Sequence, residues 1–196
     1  MSRLDQKRQT RQRILEGAGR GFRKGGYGGV GVDGLAKEAG VTSGAFYAHF
    51  PSKAHAFREA IVLGMKRLKD GICQFREEYG DDWWTRFVHF YLNERRADDL
   101  SESCVLPALS EEVVRSEHLS RRAFEKGLRE AAAAIVVGPE SLNVPRDTES
   151  AYAALATLLG GVTLARAVKD PVLAQTIATS VERTLLPRPA SSQELI

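Results

Sequence analysis

Thr42, Ser43, Gly44, Ala45, Tyr47, His49 and Lys53 crowd together in the stretch GVTSGAFYAHFPSK. Their side chains offer hydroxyls, an imidazole and an ammonium, all able to donate to anionic oxygens. Those at the start of the run are small enough for the backbone to approach another surface closely. Such a set suits a phosphate backbone and the base edges between its strands. Catalytic chemistry has less to build on. The chain contains no nucleophile elbow, P-loop, H-E-x-x-H pair or clustered acid pair. Cys73 and Cys104 stand apart with no CxxC, so neither a disulfide framework nor a zinc site is expected. The reading is of a protein that is not an enzyme and needs no cofactor or metal. His89 has no partner at ligand spacing.

Two short helices must position these residues. Leu35, Ala36 and Ala39 make one apolar face of the first, and Gly40 falls where a left-handed residue closes a helix. Val41 is the turn hydrophobe, and Thr42 can cap the second helix with its hydroxyl. Phe46 and Phe50, four apart, bury that helix's inner face and leave Ser43, Gly44, Ala45, Tyr47, Ala48 and His49 outward. Pro51 ends the helix and Ser52 caps the next, which places Lys53 in a first turn where its cation and the free amides meet a phosphate together. This is a helix-turn-helix pattern, with a second helix suited to a major groove.

The run VDGLAKEAGVTSGAFYAHFPSKAHAF resembles the N-terminal DNA-binding domain of the TetR family of bacterial transcriptional repressors. The resemblance covers roughly Thr10 to Ile61 and carries A-x-x-A-G-V, F-Y-x-H-F and S-K in the family's order. It implies a dimer that binds a palindromic operator in double-stranded DNA and is released by a small, largely apolar or reactive effector. Gly31 stands where the family commonly has a capping Thr or Ser. Ser43 and Ala45 often have Lys and Thr as counterparts. Both departures bear on which operator is read.

Composition agrees with an all-α chain. Of its 196 residues 43% are hydrophobic, prolines number only seven, and alternating apolar runs are missing. The formal charge of +3 is unevenly spread. Residues 1–60 hold 11 Lys and Arg against 5 Asp and Glu, and the remainder 17 against 20, which puts a polyanion partner at the N-terminal end. No apolar h-region opens the chain and no apolar run reaches membrane-spanning length, so the expected compartment is the cytoplasm and no membrane partner is expected.

Along the chain, Met1 to Arg8 reads as a polar arm, either a disordered terminus or a phosphate or minor-groove contact. Ile14, Leu15, Ala18 and Phe22 define a first helix over Gln9–Lys24. Gly25–Gly34 reads as a flexible connector. Its Gly29, Gly31 and Gly34 fit G-x-G-x-x-G, but without the strand and βαβ unit that a nucleotide site needs. Ser52–Tyr79 is a long helix that can bend at Gly64 or Gly71. Asp82–Ala97 carries an aromatic stripe, core by default. The resemblance makes Trp84, Phe87 and Tyr91, with Cys104 and Phe124, expected effector-pocket residues. Cys104 opens a helix over Ser103–Arg115, where free amides favour its thiolate. It is either a reactive part of the sensing wall or a small packed hydrophobe. A further helix runs over Leu119–Val137.

Thr148–Val168, apolar nearly all round, and Asp170–Leu186 form a closing pair. In the resembling family such a pair docks on its two-fold copy, with Leu155, Leu158, Val162, Leu173, Ile177 and Val181 as the expected interface. The expected organisation is a DNA-binding domain over 1–51, an effector-binding and dimerisation domain over 52–187, and a tail over 188–196. The competing readings are a helical protein-interaction module without DNA binding, and a nucleotide-dependent enzyme built on the glycine run.

Overall fold

The computed structural model describes residues 2–186, and the expected tail over 188–196 lies outside them. Among the described residues the chain is helical with no strand. It runs α1 (Arg3–Gly29), α2 (Val32–Glu38), α3 (Ser43–His49), α4 (Lys53–Tyr79), α5 (Trp83–Leu92), α6 (Glu94–Ala97), α7 (Val105–Val114), α8 (His118–Val136), α9 (Thr148–Ala167) and α10 (Pro171–Leu185). None of these helices is long and apolar enough to cross a membrane. Two compact units emerge: Met1–Lys69 with Asp98–Ala131, and Asp70–Ala97 with Ala132–Ile196.

In the first unit, Ile14, Leu15, Ala18 and Phe22 of α1 are buried, the face their spacing predicts. Gly17 and Gly21, one turn apart on that face, admit α2. A Cβ on Gly17 would lie 2.6 Å from the Ala39 Cα, and one on Gly21 would lie 2.8 Å from Leu35 Cδ2. Arg20 ties the two helices at the surface, its Nε donating to Glu38 Oε1 at 3.2 Å. Phe46 and Phe50 of the α3 segment and Phe57 and Ile61 of α4 complete this core, each no more than 1% exposed. Truncating one such phenylalanine to alanine costs about 3–5 kcal/mol. Further along α4, a Cβ on Gly64 would sit 2.7 Å from Val105 Cβ, so this glycine serves the approach of α7. Gly71 has open space around it.

Three expectations for this unit are corrected. The arm is helical from Arg3, because Ser2 and Asp5 form a reciprocal capping box. The glycine run is not a connector: α1 continues through it to Gly29, with one non-helical residue, Gly26, at φ 70°. Cys104 opens α7 as expected, but from the N-cap ahead of the first turn rather than within it. It is the extended N-cap of α7 (φ −62°, ψ 143°), 7% exposed, with Pro107 in the following turn where its missing N–H is tolerated.

The second unit is built on aromatic side chains. Trp83, Trp84, Phe87 and Tyr91 of α5 are buried, with Phe75 of α4 edge-on to Phe87 at 5.6 Å. The helix expected over Asp82–Ala97 breaks in two at Asn93. There the Asn93 side-chain amide and backbone N–H both donate to the His89 carbonyl, at 2.9 and 3.0 Å. Arg166 of α9 then gathers the end of α6, donating to the Arg96 and Arg95 carbonyls at 2.8 and 3.0 Å. Arg76 does the same for α8 through the Ala134 carbonyl at 2.9 Å. At the start of α9 the Asp147 carboxylate accepts the Ser150 amide, which holds its pKa below the usual 3.8. That cap is complete at neutral pH and is lost as pH falls through the depressed value.

The glycines separate by their surroundings. Gly17→Ala forces a methyl against backbone and should destabilise the protein by about 1–3 kcal/mol. Gly71→Ala meets nothing and should stabilise it by about 0.5–1 kcal/mol. Urea unfolding of the two variants beside the parent measures both.

Candidate nucleic-acid interface

The turn between α2 and α3 is closed by backbone hydrogen bonds. Gly40, at φ 66°, lets its own N–H reach the Lys37 carbonyl at 3.0 Å and the Val41 N–H reach the Ala36 carbonyl at 2.9 Å. This double closure aims the chain from the end of α2 into α3. Thr42 then caps α3, its Oγ1 accepting the Ala45 N–H at 3.2 Å, whereas the Gly31 N-cap of α2 has no side chain to offer. With Phe46 and Phe50 fully buried, the rest of α3 faces away from the core.

That face carries the expected residues. Thr42 and Gly44 are exposed, and Ser43, Ala45 and His49 half-buried. Tyr47 is 54% exposed, its ring edge-on to Phe46 at 5.8 Å. A Cβ on Gly44 would meet only Thr42 Oγ1, at 3.9 Å, so among the described residues the space a side chain there would fill is open. His49 Nδ1 is buried with no hydrogen-bond partner among the described residues. Lys53 opens α4 just behind the Ser52 cap, where Ser52 Oγ accepts the His55 N–H at 3.1 Å.

Three further residues shape this surface without having been legible in the sequence. Asp33, in the first turn of α2, accepts a hydrogen bond from the Ser43 hydroxyl, so a carboxylate stands beside the first residue of α3. Tyr27 lies under Lys53, whose Nζ is 4.5 Å from the ring centroid. Gly26 allows α1 to turn there, and Tyr27 packs on Phe57 at 4.9 Å. Arg11 covers the Phe50 ring at 4.8 Å and bonds both oxygens of Glu59, at 2.5 and 2.6 Å. The only sequence signal for Tyr27 was an aromatic inside a glycine run. Arg11 and Glu59 are 48 residues apart, too far for any periodicity to link them.

The other expected sites divide differently. Trp84, Phe87 and Tyr91 lie in the second unit, Trp84 stacked on Phe87 at 5.9 Å and Tyr91 tilted against Phe87 at 5.7 Å. Cys104 and Phe124 belong to the first unit. Leu155, Leu158 and Val162 are 3%, 0% and 2% exposed within the single chain. They pack inward, so these three are not surface residues open to a second copy. Val181 is half-buried against Gly161. Ile177 is half-buried, and Leu173 is 45% exposed beside Val172 at 72% and Leu164 at 61%.

An exposed, capped short helix on a three-helix base, small at its start and carrying donors at its end, defines the class: a helix-turn-helix DNA-binding regulator. Residues 14–60 match the family model described as bacterial regulatory proteins, tetR family. That part of the chain is a TetR-family DNA-binding domain. The solved structures agree on the fold. A TetR-family transcriptional regulator from Agrobacterium tumefaciens is 16% identical and covers 91% of this chain and 98% of its own, with a TM-score of 0.73. The reduced form of NemR from E. coli is 19% identical over 93% and 100%, at 0.71. The fatty acid degradation regulator FadR from Bacillus halodurans is 18% identical over 92% and 96%, at 0.65. No curated protein matches the sequence.

The Thr42 cap is open to a direct check. Thr42→Ala should lower stability by about 1 kcal/mol, whereas Thr42→Ser should stay within a few tenths. DNA affinity should fall with the alanine variant only. Thermal unfolding and a binding titration on the same samples decide.

Proposed function

We propose that this protein is a homodimeric transcriptional repressor that binds a palindromic operator and is released by a small, largely apolar or reactive effector. In this reading residues 1–51 form the DNA-binding domain and 52–187 the effector-binding and dimerisation domain. The observation that carries it is the outward face of α3, with Gly44 and Ala45 small at its start, Tyr47 exposed, and Lys53 close behind. Thr42, Ser43, Gly44 and Ala45 approach the bases, and Tyr47, His49 and Lys53 take phosphates. Asp33 joins Ser43 as a hydrogen-bond acceptor, the chemistry that suits the amino group of cytosine.

Trp84 supports the effector part. It lines a cleft of about 520 Å³ together with Arg146, Ser150 and Thr157, and its indole N–H is buried without a partner among the described residues. A ligand bearing an acceptor oxygen and an apolar body suits such a lining. The burial of Cys104 favours packing over reaction with an electrophile, and so favours a reversible ligand.

The operator emerges by sequencing the fragments the protein selects from a random DNA pool. On that operator, a dimer making about 6–10 phosphate contacts should lose about 10³–10⁵ in affinity between 50 and 200 mM salt. Tyr47→Ala and Lys53→Ala should weaken binding to every sequence. Changes at Ser43, Ala45 or Asp33 should shift base preference instead. A flat salt response would return the chain to a helical protein-interaction module.

The dimer surface that fits the exposed side chains is Leu164, Val172 and Leu173, with Ile177 at its edge. Leu173→Glu should give a folded monomer in ultracentrifugation that no longer holds a full operator. Leu158→Glu, which places a charge in the unit's own core, should fail to fold.

A further inference from the structure

The first turns of α1 have no core to pack on. Every residue from Ser2 to Gln9 is exposed, Thr10 and Arg11 are half-buried, and the first buried side chain is Ile14. About ten helical residues therefore extend beyond the packed part of α1, a length of ~15 Å at 1.5 Å per residue. A helix with no apolar face is marginal by itself in water. Its charge makes it more so. Residues 2–13 hold Arg3, Lys7, Arg8, Arg11 and Arg13 against Asp5 alone. Arg3, Lys7 and Arg11 follow one another at i, i+4 spacing, a stripe of like charge that disfavours an isolated helix.

Two features fix where this stripe lies. Ser2 and Asp5 close its start, with Ser2 Oγ donating to Asp5 Oδ2 at 2.7 Å and accepting the Asp5 N–H at 3.1 Å. The acid is thus held at the helix terminus, where its charge meets free amides. At the other end Arg11 bonds Glu59 and covers Phe50, the residue that closes α3. The stripe is therefore anchored beside the junction of α3 and α4, through Phe50 and Glu59. Arg3, Lys7, Arg8 and Arg13 take part in no ion pair among the described residues.

We propose that the exposed start of α1, through Arg3, Lys7 and Arg8, is a second DNA-contact surface that follows the phosphate backbone flanking each half-site. The proposal rests on the DNA-binding reading and adds to it a sequence-independent contact outside the bases that α3 reaches. Charge complementarity and continuity with the α3 face select the occupant: duplex DNA of the same site, whose phosphates relieve the repulsion along the stripe. The span of the stripe matches about four to five base pairs at ~3.4 Å each.

The test uses the full chain, a long duplex bearing the selected operator, and the same operator trimmed to its half-sites. The variant Arg3→Ala/Lys7→Ala/Arg8→Ala keeps strong helix formers throughout, and circular dichroism should show its helix content retained. On the long duplex its plot of log affinity against log salt should be shallower by about 0.9 for each phosphate no longer neutralised, a change of about 5 for three cations in each of two protomers. Base preference should not change. Trimming the flanks should bring the parent close to the variant and leave the variant unaffected. An unchanged slope for the variant, with the parent still binding its operator, would overturn the proposal and leave the reading of α3 intact. A parent that binds no duplex, long or trimmed, would overturn both.

Discussion

α2 reaches α1 only because two side chains are missing. Gly17 and Gly21 leave a shallow face on α1, and into it come the Ala39 backbone and the Leu35 side chain, closer than any larger residue on α1 would permit. The position of α2 then sets that of α3, since the Gly40 closure between them allows little freedom. α3 is short, and a seven-residue helix has too few internal hydrogen bonds to persist unaided. It is stabilised by the burial of Phe46 and Phe50 and by the Thr42 cap. The outward side chains of α3 thus depend on a contact between two helices that carry almost none of them.

Electrostatics follow the same logic. The cations nearest α3 are oriented by neighbours that contribute little charge of their own to the surface. Tyr27 offers Lys53 a ring face, and Phe50 offers one to Arg11 while both oxygens of Glu59 accept from its Nη2. Such contacts restrict long side chains before a partner arrives, which lessens the ordering that binding must impose. Asp33 acts in the opposite sense. A carboxylate at the first turn of α2 puts negative charge at that corner of the surface, and it accepts the Ser43 hydroxyl.

In the second unit the aromatic run of α5 is both core and candidate wall. Trp83 and Trp84 are adjacent in sequence yet both buried, which a single helical face cannot achieve. Trp83 satisfies its N–H with the Pro139 carbonyl at 3.2 Å, and Trp84 does not satisfy its own among the described residues. A buried donor without a partner is costly unless something fills that role, and this makes Trp84 rather than its neighbour the residue of functional interest.

Much of this protein was determined by local sequence. The all-helical class, the α2 and α3 boundaries, the left-handed Gly40, the Thr42 and Ser52 caps and the inward Phe46 and Phe50 all depend on residues within a turn or two of one another. Spacing and turn chemistry suffice to read them. Other features rested on contacts between distant segments. Periodicity shows that α9 is apolar on most sides but not which side its own chain covers, and so Leu155, Leu158 and Val162 were expected at a partner surface when they fill the core. The glycine run looked like a connector because the aromatic cluster that holds Tyr27 is made by Phe22 and Phe57 on two helices. Arg11, Asp33 and the use of Gly17 likewise became visible only in three dimensions. In each case the decisive neighbour is brought close by packing, and side-chain type and local spacing carry no record of it.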